Sequence, residues 1–128
     1  MNDGTEPITD DELLYRRVPV AWYPPLDPQA FAPHKIHDAT GVSVSRAKYK
    51  AIEEAAKGQP GKSYYVAVLH AGEVRKLQIE VAARPTPGDP GHAELSDLNS
   101  ANRKTDRTQE LQRLLVQITL RVEGPFGT

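Results

Sequence analysis

The sequence predicts an α+β domain with a small, mainly antiparallel sheet. Tyr64 to His70 is a Tyr- and Val-rich run, and Val74 to Ala82 alternates, with Leu77, Ile79 and Val81 on one side and Lys76, Gln78 and Glu80 on the other. Ala71-Gly72-Glu73 reads as the turn between them, so an antiparallel hairpin over 64–82 is expected at the centre of the sheet. Two stretches with helical spacing, about 46–57 and 107–121, are expected to flank it.

Taken in chain order, residues 1–9 show no apolar period and are expected to form a mobile acidic tail ahead of a single domain over 10–126. Thr9 or Asp10 can cap a short turn through Leu14, and Tyr15 to Val18 reads as extended, because Pro19 disfavours the α region for the residue before it. The segment 19–33 carries five prolines, which rules out a helix or an interior strand. Trp22, Tyr23, Leu26 and Phe31 make it an ordered wrapping segment pinned to the domain. For the first helix, Ser45 is a plausible N-cap, Ala47, Tyr49, Ile52, Ala55 and Ala56 fall near one face, and Gly58 with Pro60 supplies the stop. Residues 84–102 form a long polar loop containing Pro85, Pro87 and Pro90, and loops of that length are usually functional or mobile. Near the C-terminus Leu111, Leu114, Leu115, Ile118 and Val122 follow a helical period from a cap at Asp106, yet Val116, Ile118, Leu120 and Val122 also alternate as a strand would. Residues 116–122 therefore fit either element.

The chain has 128 residues, 16 Lys and Arg against 17 Asp and Glu, and no cysteine. That removes disulfides, thiolate metal sites and cysteine nucleophiles, and it suits a reducing, cytoplasmic setting. No apolar run approaches the ~18 residues of a membrane span. The charge is unevenly placed: residues 1–15 hold five acids and no Lys or Arg, leaving a basic body. A pI of about 6.4 argues against a dedicated nucleic-acid binder, although Arg46, Lys48, Lys50, Lys57 and Lys62 with interleaved tyrosines keep an RNA-binding module as a weaker alternative. Phosphate-loop and dinucleotide glycine motifs are absent, so no cofactor is called for.

Three constellations carry possible chemistry. His34, His37 and Asp38 are weak metal-ligand candidates, because their spacing matches no metal signature. His92 follows the turn Pro87-Gly88-Asp89-Pro90-Gly91 and, with Glu94, is a candidate for ligand binding. Arg16 and Arg17 can clamp a phosphate or carboxylate. Arg16 with Ser43 also loosely resembles the strand Arg and Ser with which ADP-ribosyl-transferring folds hold NAD, although the sequence places no matching Glu towards its C-terminal end. Over roughly residues 12–126, the blocks Leu13-Leu14-Tyr15-Arg16-Arg17-Val18, Gly41-Val42-Ser43-Val44 and Asp89-Pro90-Gly91-His92-Ala93-Glu94 resemble small uncharacterised bacterial proteins with an N-terminal LYRR-like block and a later DPxHA-like block. That resemblance implies a bacterial source and no activity, and it singles out Arg16, Ser43 and His92 as catalytic candidates. The first functional expectation is a non-enzymatic accessory module that binds a protein partner. The alternative is a small enzyme or nucleotide-binding domain using Arg16 and His92.

Overall fold

Residues two apart on a strand share a face, and this chain uses that period to bury one side of a sheet. Leu14 and Val18, Val42 and Val44, Ala67 and Leu69, and Ala93 and Leu95 all point into one core. The computed structural model describes residues 3–35 and 37–127. Its strands are β1 (Leu13–Pro19), β2 (Val42–Arg46), β3 (Tyr64–His70), β4 (Val81–Ala83), β5 (His92–Leu95) and β6 (Arg121–Phe126), with helices α1 (Ile52–Ala55), α2 (Ala71–Lys76) and α3 (Asp106–Ile118). The strands form one antiparallel sheet in the order β4-β5-β2-β1-β3-β6, giving an α+β fold that does not close into a barrel.

The expected 64–82 hairpin is not formed. Its second arm becomes α2, which buries Ala71 and Val74 three residues apart, and then a short β4 that pairs with β5 instead of β3. The backbone N–H groups of Ala71 and Gly72 donate to the carbonyls of Glu12 and Asp10, which turns the chain away from β3 at the end of that strand. The place beside β3 is taken by β6. The long loop expected over 84–102 contains β5, and the helix expected over 46–57 shrinks to α1. Arg46 closes β2 instead of opening a helix. The C-terminal ambiguity resolves into both elements: α3 stops at Ile118, Leu120 N donates to Val68 O, and β6 begins at Arg121. The N-cap of α3 is Thr105, whose side chain accepts from Thr108 N, and Asp106 occupies the first turn. The wrapping segment holds two single-turn 3-10 helices, Val20–Trp22 and Pro28–Phe31. It buries Ala30 and Phe31 and packs Trp22, Tyr23 and Leu26 against the core.

Residues 1–2 of the expected mobile tail lie outside the described residues, and from residue 4 the chain is held. The guanidinium of Arg46 is fully buried and forms a two-point pair with Glu12, Nε to Oε1 at 3.0 Å and Nη2 to Oε2 at 2.9 Å. It also donates to the carbonyls of Gly4 and Glu6, and Ile8 enters the core. Tyr49 donates its hydroxyl to the Glu6 carboxylate and lies against the Arg46 guanidinium. Glu6, expected in the mobile tail, instead lies 3.6 Å from this buried cation. A buried guanidinium needs several acceptors, and this strap supplies them.

Removing one partner of such a pair strands the other, so Glu12→Gln should cost about 3 kcal/mol of unfolding free energy in urea. Acid should loosen the same strap. The Tyr49 hydrogen bond takes Glu6 from an ordinary 4.5 to about 2, and although burial alone would raise Glu12, the Arg46 hydrogen bonds bring it below its ordinary value. Groups that bind protons less tightly when folded stabilise the fold above their unfolded pKa. The contribution is therefore complete above about pH 4.5 and lost as the pH falls towards about 2. Amide protection factors for residues 4–9 should drop across that window before those of β3.

Candidate functional site

The face of the sheet opposite the core is more polar and forms the floor of a cleft. Tyr15 and Arg17 come from β1, Ser43 and Ser45 from β2, and His92 from the start of β5. Register explains their grouping, since Tyr15 lies opposite Ser45 and Ser45 opposite His92. The cleft has a volume of about 990 Å³, within the range of small-molecule sites. Six of its bordering side chains are Lys or Arg and three are Asp or Glu, so the cleft is electropositive even with its histidines neutral. Trp22 and Tyr64 add aromatic surface to its walls.

Arg16 sits where β1 and β2 part. Their ladder consists of Leu14 with Arg46 and Tyr15 with Ser45. Beyond it the Arg16 side chain takes over the bridging: Nε donates to Ala30 O at 2.8 Å and Nη1 to Ser43 O at 2.9 Å. Burial draws its guanidinium below the ordinary value, and Asp38, 4.0 Å from Nη2, opposes that shift. Nη2 makes no hydrogen bond among the described residues, and the side chain borders the cleft. Arg17 has a different role. Its guanidinium lies 5.2 Å from the Tyr64 ring centroid and donates to Lys57 O, which ties β1 to the end of α1.

Asp38 organises the loop that leads into β2. Oδ2 accepts from His34 N at 2.6 Å, and Oδ1 accepts from Ser43 N at 3.2 Å and from Ser43 Oγ at 3.1 Å. On the other side of Ser43, His92 Nε2 lies 3.2 Å from Oγ and Nδ1 lies 2.9 Å from Arg84 O. Two glycines allow this closeness. A Cβ on Gly91 would stand 2.7 Å from Tyr49 Cβ, and one on Gly41 would stand 2.9 Å from Leu95 O. Side chains at these positions would push apart the segments that carry His92 and Ser43.

The catalytic candidates Arg16, Ser43 and His92 are thus brought together. Glu94 is not. Although it pairs with Ser43 across β2 and β5, its carboxylate accepts from Thr40 Oγ1 at 2.7 Å, lies 3.7 Å from Arg84 Nε and is nearly buried away from the cleft. The weak metal candidates do not assemble as ligands. The rings of His34 and His37 lie 4.6 Å apart, tilted by 31°, while Asp38 serves the backbone and Ser43, and among the described residues no three His, Asp or Glu are grouped to hold a metal ion. The importance of Asp38 to Ser43 was missed in the sequence, as was the contribution of Lys35 and Arg103 to the rim. An Asp five residues before a strand Ser is a weak signal, and the rim is assembled from segments far apart in the chain.

Compared with protein-family models, with curated proteins and with solved structures, the chain has no match. Among the described residues, no helix is long and apolar enough to cross a membrane.

Lysine keeps the charge of Arg16 but not the planar fork that reaches two carbonyls at once. Arg16→Lys should therefore cost about 2 kcal/mol of stability by chemical denaturation, and Arg16→Met more, because it also leaves Asp38 without a cation.

Proposed function

We propose that the protein is a nucleotide-binding domain of the small-enzyme kind, and that its cleft takes a phosphate-bearing nucleotide. The observation that carries this is that Arg16, at the border of an electropositive cleft, and Ser43 and His92, on its floor, converge. Catalysis and specific binding both need polar groups that converge, and two of these three come from strands that are not consecutive in the chain. The surplus of cations suits phosphate groups, Arg16 Nη2 offers donors at the border of the cleft, and the half-buried Trp22 gives a flat base an apolar surface to lie against.

The protein-partner reading has less support. The aromatics of the Pro-rich loop offer a partner little surface, because Trp22 and Tyr23 are half-buried and pack against the core. The large hydrophobic side chains exposed among the described residues are Val20 and Leu120, too few for an apolar docking patch.

Calorimetric titration tests the proposal. ADP should bind and adenosine should bind at least about tenfold more weakly, with the ADP affinity falling as salt is raised. Lys35→Glu, an exposed rim change, should weaken ADP binding by about tenfold without altering the melting temperature. Equal affinity for ADP and adenosine, or no binding of either, would overturn the reading.

A further inference from the structure

Hydrogen-bond accounting around Ser43 leads further. Arg84 O can only accept, so the His92 nitrogen 2.9 Å from it, Nδ1, is the donor there. In the neutral ring this leaves Nε2 with its lone pair directed at Ser43 Oγ, 3.2 Å away. The Ser43 hydroxyl has one hydrogen and two acceptors within reach, Nε2 and Asp38 Oδ1. Asp38 does not depend on that hydrogen, because its two oxygens also accept from Ser43 N and His34 N. Turning the proton from Asp38 to His92 therefore orphans no buried group. A hydroxyl, a base within reach and a third group fixing the base's tautomer are the parts of an activated nucleophile.

We propose that Ser43 is a nucleophile activated by His92, and that it acts on a phosphate ester of the nucleotide class bound in the cleft. The substrate class rests on the preceding reading; the nucleophile rests on the Ser43–His92 geometry alone. Ser43 Oγ attacks phosphorus and forms an O–P bond while His92 Nε2 takes its proton. The ester P–O bond breaks, and the leaving alkoxide receives that proton from His92. Water then attacks the phosphoserine, giving its proton to His92, which returns it to Ser43 Oγ as inorganic phosphate leaves. No oxidant, reductant or metal enters the balance. Arg16, held beside Ser43 by donating Nη1 to the Ser43 carbonyl, offers the donors of Nη2 to the charge on the transferring group.

Diisopropyl fluorophosphate, which phosphorylates activated serines whatever their natural substrate, is the probe. The full chain should gain one adduct, located at Ser43 by mass spectrometry, and Ser43→Ala should gain none. His92→Ala should slow labelling by about 100-fold, with partial restoration by free imidazole, which a purely structural role for the ring would not produce. Ser43→Cys guards against misfolding of the alanine variants: in a chain without other cysteines, its reaction with iodoacetamide should exceed that of an unactivated thiol and fall when His92→Ala is added. No adduct at Ser43, or rates indifferent to His92, would overturn the nucleophile. Excess ADP should slow labelling. Labelling that proceeds unchanged in ADP would uphold the nucleophile and overturn the nucleotide-class substrate, so the two readings fail separately.

Discussion

The cleft depends on the gap between β1 and β2 being bridged by a side chain. Two strands that part in the middle of a sheet leave backbone carbonyls without ladder partners, and a buried carbonyl left unpaired is costly. Arg16 satisfies Ser43 O from β2 and Ala30 O from the wrapping segment with one planar group. This holds β2 at the distance that keeps Ser43 facing the cleft, and it anchors the Pro-rich segment over the edge of the gap. A cation so placed also sets the local field, because Asp38 lies 4.0 Å away and is in turn bonded to Ser43.

A second guanidinium lies further along the same β1–β2 pair. Arg46 stands opposite Leu14 at the point where the ladder is intact, and its acceptors come from residues 4–12. The two arginines illustrate different solutions to burying charge. Arg16 is matched mainly with neutral carbonyls and keeps one end at the cleft, whereas Arg46 is enclosed and matched with the Glu12 carboxylate. The first leaves donors for a ligand, and the second spends its donors on the fold.

Fold class was legible because alternation and turn residues mark strands wherever one face is apolar. The Pro-rich segment was legible for a related reason, since prolines at that density exclude regular elements while large aromatics demand burial. Errors arose where polar side chains occupy core positions. Val42, Val44 and Arg46 alternate into the core, but an arginine in the third position reads as surface, so the end of β2 reads as the start of a helix. Glu6 reads as a tail residue because the buried cation that its carboxylate faces is not visible in the local sequence. The stretch 71–82 failed differently: its alternation is real, yet Ala71 and Val74 also fit a helical turn, and backbone bonds to Asp10 and Glu12 favour that turn.

By itself the sequence pointed to the residues of the candidate site: Arg16 and His92 as residue types suited to anions and proton transfer, and Ser43 only through the blocks it shares with the resembled proteins and folds. It also determined that the domain would mix helices with an antiparallel sheet, because apolar periodicity is a local property. The tertiary structure alone decided that the three residues meet. Ser43 and His92 are 49 positions apart, and their contact follows from the pairing of β2 with β5. The choice of strand partners depends on how all buried faces and backbone donors are satisfied together, which no local stretch encodes. The same global requirement turned an acidic N-terminus into a strap, since the buried cation that captures it becomes visible only once β2 is in place.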